Sequence, residues 1–285
     1  MKYQNPEFVI ANAHHLRLKT RIFLYVVAIL SFGGIYSGYN WYETQRENSR
    51  LDAQIAGLNQ SYNERITSLS GLIDIFEGEF LKKGANISGL ERGKIDEYRD
   101  KLRAYKRRME IEQIADKIRL LASHVETEYA MEIADSIHKW ATPYGNDPDM
   151  LVALAYVESS FKPSQVSNKG ALGLTQVMPA WVNCENPKKI CHELSFVQSA
   201  DDLANDVDKN IRAGSAILKF MLQQSKGKWD HALASYNLGW NKVGSEVEAG
   251  NDLDYIYAKK VLRVYTRLKQ IELHQTAAAE ERPSA

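Results

Sequence analysis

Hydrophobic and polar positions change their rhythm along the chain, and each rhythm predicts a different element. Residues 22–42 read IFLYVVAILSFGGIYSGYNWY without one charged side chain, a run long enough to cross a bilayer as a helix. From Leu51 the apolar positions fall at Leu51, Ile55, Leu58, Tyr62, Ile66, Leu69, Ile73, Phe76 and Phe80. Steps of three and four predict a long amphipathic helix with a heptad-like seam. The stretch KKGANISGLERG, residues 82–93, breaks that period with three glycines. It resumes at Ile95, Tyr98, Leu102, Tyr105 and Met109 and continues through Ile114, Ile118 and Leu121. Two helices of similar length about one break predict an antiparallel hairpin, each arm reaching roughly 45 Å. A parallel dimeric coiled coil satisfies the same pattern.

Beyond residue 125 small and aromatic residues become frequent. Tyr129, Ile133, Ile137 and Trp140 mark an amphipathic helix that ends near TPYGNDP. Asp147 is placed to cap the next helix, with Pro148 at its first position. That helix carries Leu151, Val152, Leu154, Ala155 and Val157 up to Glu158. Segments 203–224, 229–237 and 255–272 also read helical, and short strands fit only the loop 182–200. The expected fold class is therefore all-α (mainly α). Its expected order is a cytoplasmic segment (1–21), a transmembrane anchor (22–42), a hairpin or coiled-coil stalk (43–125), a helical domain (126–272) and a disordered tail (273–285).

Flanking residues orient the anchor. Tyr39, Trp41 and Tyr42 suit an interfacial aromatic belt, while Arg17, Lys19 and Arg21 put the N-terminal side in the cytoplasm. No small-x-small cleavage site follows the apolar run, which favours an uncleaved anchor over a signal peptide. Gly34 and Gly38 form a GxxxG pair, a pattern common by chance. Everything after Tyr42 would then face the periplasmic side of the inner membrane. Lys+Arg and Asp+Glu balance at 36 each, so charge points away from nucleic acid as a partner. The seven histidines are scattered, and neither metal nor cofactor is expected. Cys184 and Cys191, in CENPKKIC, have the wrong spacing for zinc and suit an intraloop disulfide in an exported domain.

Candidate chemistry gathers around Glu158. A lone glutamate at a helix end is usually a solvated charge. Here apolar neighbours precede it, and desolvation raises a carboxyl pKa so that the proton stays on near neutrality. A carboxylic acid of that kind can protonate a glycosidic oxygen. Nearby segments offer Ser159, Ser160, Gln176, Tyr236 and Asn237 but no obvious second acid, which suits a pathway in which the substrate supplies its own nucleophile. Glycines in GALGLTQVMP (170–179) let a backbone approach another chain closely. Aromatic and amide groups in ALASYNLGW (232–240) suit sugar rings bearing N-acetyl groups.

These segments together resemble a known family. Residues 130–270 are similar to lytic transglycosylase domains of the soluble-lytic-transglycosylase type, related to goose-type lysozyme. ALAYVESSFKP resembles the family's catalytic segment, with Glu158 at the acid/base position. VSNKGALGLTQVMP, DVDKNIRAG, ASYNLG and YAKKVL resemble four further segments in the same order. Departures are Thr175 where methionine is usual, Ser235 where alanine is usual, and LDYI in place of a Glu-Thr-Arg run before Tyr257. The resemblance implies that Thr175 lines the glycan groove, so that its change bears on subsite preference.

It also implies a mechanism. Glu158 would protonate the oxygen between N-acetylmuramic acid and N-acetylglucosamine, then take the proton of the C6 hydroxyl as a 1,6-anhydro ring closes. Ser159, Gln176, Tyr236 and Asn237 would position the glycan, and Tyr257 would line the site near Glu158. Peptidoglycan strands, the membrane and an envelope-spanning complex are the expected partners. A hydrolytic muramidase on the same fold and a non-catalytic peptidoglycan-binding scaffold remain open. With the stalk contributing nothing to the site, a chain cut near residue 125 is expected to be soluble and active.

Overall fold

A computed structural model describes residues 41–75, 78, 89–182, 190–250 and 255–280. The expected anchor and most of the expected hairpin break lie outside them. Among the described residues no helix is long and apolar enough to cross a membrane. Two compact units divide the chain, Met1–Ala53 and Gln54–Ala285. The first is described over residues 41–53, which are helical, with Trp41 and Tyr42 exposed.

The second unit is built from helices, as the periodicity predicts. It opens with helical residues 54–75 (α1), followed by α2 (Gly89–Leu121), α3 (Thr127–Ala141) and α4 (Pro148–Ser159). A short helix, α5 (Ile190–Glu193), lies in the loop 182–200 where short strands were possible, and α6 (Ala200–Asn205) follows it. Then come α7 (Val207–Gln224), α8 (Trp229–Leu238), α9 (Trp240–Glu248) and α10 (Ile256–Glu280). The only β pairing among the described residues is two isolated bridges, Val166 with Leu172 and Leu172 with Val177. Ser199 begins α6 with a capping box closed by Asp202, a helix-start signal present in the sequence. α10 also covers residues 273–280, where an irregular tail was expected. Its run Ala277-Ala278-Ala279-Glu280 consists of strong helix formers.

α1 and α2 run antiparallel. Gln113 Nε2 donates to Asn59 Oδ1 at 3.0 Å, Tyr62 Oη to Asp116 Oδ2 at 3.0 Å and Arg65 to Tyr105 Oη at 3.4 Å, so Arg65, the furthest along α1, meets the position furthest back on α2. The seam is buried only where other helices join it. Ile55, Met109, Ile114 and Ile118 are buried, whereas Tyr98 and Tyr105 stay about half exposed at 57% and 49%. Two helices alone shield one stripe of each; the C-terminal half of α2 has α3 and α4 against it as well.

That packing moves the expected boundary at residue 125. Lys117 of α2 reaches Asp149 of α4 with Nζ 2.8 Å and 3.0 Å from the two carboxylate oxygens, and both side chains are 7% exposed. Lys269 of α10 lies 3.0 Å from Asp147 and 3.7 Å from Asp149. Asn59 of α1 donates to the Leu268 carbonyl at 2.9 Å. The hairpin is thus part of the unit that holds α4, because a buried carboxylate needs its cation.

Lys117→Met should cost the full chain about 3 kcal/mol in urea denaturation, with Lys117→Met/Asp149→Leu recovering much of it. A chain beginning at residue 125 should melt well below the full chain for the same reason. A loss under about 1 kcal/mol, the size of an exposed pair, would mean that the buried pair does not organise α4.

Candidate active site

α4 delivers Glu158 to a cleft. Asp147 caps the helix by accepting from Asp149 N at 2.8 Å, with Pro148 first, as its sequence predicts. Residues 149–155 are buried on every side, so the helix is fixed by its surroundings more than by an amphipathic face. It ends at Ser160, in left-handed conformation (φ 51°, ψ 34°), whose N–H returns to Tyr156 O. Phe161, Ser164 and Gln176 also have positive φ (58°, 52° and 50°), so backbone strain concentrates beside Glu158 and in the loop that follows.

A cavity of about 790 Å³ opens on Glu158, walled by Val157, Leu238, Ile256, Asn237 and Tyr257. Burial raises the Glu158 carboxyl from 4.5 to about 7, opposed by a hydrogen bond from Tyr257 Oη to Oε1. Burial, and next the Glu158 charge, raises the Tyr257 and Tyr236 hydroxyls, which therefore remain neutral donors. A carboxyl with its pKa near neutrality can give up and recover a proton within one turnover.

The expected glycan contacts divide in two. Asn237 and Tyr257 share the cleft with Glu158. Ser159, Gln176 and Tyr236 instead hold the loop 172–176. Ser159 is buried, with its hydroxyl 2.9 Å from Leu174 O and 3.1 Å from Ala155 O, and it accepts from Phe161 N at 3.1 Å. Tyr236 Oη donates to Thr175 O at 2.8 Å. Gln176 Nε2 donates to the carbonyls of Gly173 (2.8 Å) and Gln165 (3.0 Å). Hydroxyls already committed to main-chain carbonyls act behind the cleft.

Thr175 corrects an expectation. Its side chain is wholly buried and faces α7 instead of the groove. Thr175 N donates to Asn210 Oδ1 at 2.9 Å, and Thr175 Oγ1 lies 2.8 Å from the same oxygen. Gly214 has no room for a Cβ because Thr175 occupies the space. A residue adjoining Gln176 in sequence can point the other way, and the loop alone does not reveal which.

Glu246 escaped the sequence reading, and Asn210 entered it only as part of DVDKNIRAG, without a role. Asn210 also donates to Leu172 O (2.9 Å) and Leu203 O (2.6 Å), while Gly173 (φ +72°) passes so close that a Cβ would collide with it. An asparagine amid the apolar face of α7 was the available signal. Glu246 places a second carboxylate in the cleft lining, with Lys242 and Lys260. It lies 88 positions beyond Glu158, too far for sequence proximity to connect them. Cys184 and the Cys191 side chain lie outside the described residues, and among the described residues no group of His, Cys, Asp and Glu could hold a metal.

This helical fold, with one sheltered glutamate in a cleft, agrees with a family comparison: residues 135–258 match the Transglycosylase SLT domain family. That stretch of the chain is therefore similar to transglycosylase SLT domains. Over 62 residues it is 37% identical to membrane-bound lytic murein transglycosylase C of Actinobacillus pleuropneumoniae serotype 5b, covering 22% of this chain. That match spans 17% of the relative's length. The 70 kDa soluble lytic transglycosylase of Escherichia coli superposes with a TM-score of 0.41 at 17% identity, over 81% of this chain and 47% of that one. A Pseudomonas aeruginosa lytic transglycosylase Slt gives 0.37 at 18% identity, over 78% and 35%.

Ser235 of α8 is fully buried, and its hydroxyl has no hydrogen-bond partner among the described residues. Ser235→Ala should raise stability by about 1 kcal/mol in denaturant titration, and a destabilised variant would reveal an undetected partner.

Glu158→Gln should show a pH-dependent gain. The folded chain holds the Glu158 proton up to about pH 7 while an unfolded chain releases it near 4.5. The stability from that proton is full below 4.5 and is lost as pH rises through 7. The melting advantage of the variant should thus be larger at pH 8 than at pH 5, by roughly 3 kcal/mol. An advantage independent of pH would mean that Glu158 is solvated.

Proposed function

We propose that this chain is a lytic transglycosylase of peptidoglycan, and that it cleaves the β-1,4 bond between N-acetylmuramic acid and N-acetylglucosamine without water. One observation carries the reading: a single carboxyl with its pKa raised to about 7 by burial, facing a cleft wide enough for sugar rings. Glu158 gives its proton to the glycosidic oxygen as the C1–O bond breaks. Positive charge develops at C1, where the substrate's own N-acetyl carbonyl can stabilise it. The C6 hydroxyl then attacks C1, and its proton returns to Glu158. The products are a free 4-hydroxyl and a 1,6-anhydro end, and the acid is regenerated. Positioning supplies much of the rate in such an intramolecular closure, with Tyr257 steering the carboxyl and Asn237 available to an N-acetyl group. Ser159, Gln176 and Tyr236 contribute by fixing the loop behind.

Glu246 favours one second reading, hydrolysis. A carboxylate elsewhere in the same cleft could activate water, as inverting glycosidases do. The products distinguish the two.

The setting proposed for this activity is the periplasmic face of the inner membrane. Residues 22–42 would be the anchor, and the hairpin would hold the site away from the bilayer. The uncharged run and its basic N-terminal flank support this, as does the membrane-bound description of the Actinobacillus relative. An anchored cutter of this kind suits local work within an envelope-spanning assembly.

The test is mass spectrometry of muropeptides released from purified sacculi by the full chain beside Glu158→Gln. Anhydro ends are expected from the wild type, with at least a hundredfold less from the variant. Release should be level below pH 7 and fall about tenfold per unit above it, because the acid form is then lost. Reducing ends would establish hydrolysis, and equal release from Glu158→Gln would remove Glu158 as the acid.

A further inference from the structure

Lys242 and Lys260 give the cleft a charge that the chemistry of bond cleavage leaves unused. Lys242 projects from α9 and Lys260 from α10, and both line the cavity onto which Glu158 opens. Three lysines elsewhere in the unit are paired with carboxylates, Lys139 with Asp208, Lys209 with Asp202 and Lys269 with Asp147, while others stand on the surface away from any cavity wall. Lys242 and Lys260 are exposed and form no ion pair with a described residue. Lys260 follows Tyr257 by one helical turn, so it stands on the face of α10 that presents Tyr257 to Glu158. Lys242 and Glu246 are likewise one turn apart on α9. The lining thus sets two lysines beside Glu246 and Glu158.

We propose that Lys242 and Lys260 form an anion subsite that holds a carboxylate carried by the muramyl part of the substrate. The proposal rests on the peptidoglycan reading and names the feature of that polymer which the cleft selects. Two carboxylates could serve, that of the peptide attached to the muramyl residue or that of the bare lactyl ether when the peptide has been removed. A neutral N-acetylglucosamine polymer offers neither, although its rings and N-acetyl groups would fit the apolar wall and Asn237 equally well. Lysine suits the task because a point charge on a flexible stem can follow a mobile carboxylate. The contribution should fall with salt, since the groups are solvent-exposed.

The test compares the full chain, kept in detergent, with Lys242→Gln, Lys260→Gln, the double Gln variant and the double Arg variant. KM and kcat are measured on soluble peptide-bearing glycan strands and on strands stripped by an amidase, and Kd on chitotetraose. Each Gln change should raise KM on peptide-bearing strands about threefold and the pair about tenfold, with kcat within twofold. The double Arg variant should restore KM, and chitotetraose binding should not change. A KM effect that persists on stripped strands assigns the lactyl carboxylate, and one confined to peptide-bearing strands assigns the peptide. An unchanged KM in the double Gln variant, or an equal weakening of chitotetraose binding, overturns the subsite. Should the wild type release no anhydro ends, the cleavage reading fails by itself. The Kd of peptide-bearing strands for the same variants then decides the subsite.

Discussion

Shelter of one carboxyl from water is the constraint on which the rest of the second unit depends. A glutamate at the end of an isolated helix would ionise near its ordinary pKa. Glu158 does not, because α4 is enclosed on all sides before it reaches the cleft, although α10 lays Tyr257 across its oxygen as a hydrogen-bond donor. Burial and the tyrosine act in opposite directions, and burial prevails. A carboxyl buried without a donor would be held neutral too far above physiological pH to return as a base, while one in open water would rarely carry the proton. The arrangement lies between those limits.

The floor of the site meets a second demand, that of backbone polar groups in a loop with hardly any ladder. Residues 172–176 have only the bridges of Leu172 to satisfy them in the manner of a sheet. Gly173 N and Gln176 N donate to the main-chain carbonyls of Gln165 and Gly173, and other groups find side chains: Asn210 takes Thr175 N and gives to Leu172 O, Ser159 gives to Leu174 O, Tyr236 to Thr175 O and Gln176 to Gly173 O. Buried polar groups without such partners would each cost about 1–3 kcal/mol. Ser159, Tyr236 and Gln176 therefore have structural work that is independent of the glycan. Their substitution would disturb the cleft through the loop as much as through any direct contact.

Legibility followed the kind of signal. Helices with strong periodicity or a cap were readable: α3 from Ile133 and Ile137, α4 from Asp147 and Pro148, α7 and α8 from their apolar faces. Glu158 at a helix end has an ordinary explanation, a solvated charge, and it was readable because its apolar neighbours and the surrounding motifs together outweighed that explanation. Orientation was not readable. Thr175 and Gln176 are adjacent in the chain, yet one is sealed against Gly214 and the other turns to the carbonyls of Gly173 and Gln165, a difference set by positive φ at Gln176. Glu246, Lys242 and Lys260 carry no motif, and only the meeting of α9 and α10 at the cleft gives them meaning.

The hairpin shows why periodicity misplaces a domain edge. Its seam repeats evenly through α1 and α2, and nothing in the spacing marks where a two-helix pair becomes part of a larger core. The mark is chemical, a lysine at position 117 amid apolar neighbours, and it is explained only by Asp149 on the far side. Asp149 belongs to the same helix as Glu158 and lies in its first turn. Whatever disturbs the lower half of α2 must therefore strip a buried carboxylate of its closest cation or carry α4 along with it. A spacer that merely lifted a domain off a surface would have no reason to bury a charge there. The observed pair ties the position of the helix that carries Glu158 to the hairpin, so that the arm and the cleft behave as one folded unit.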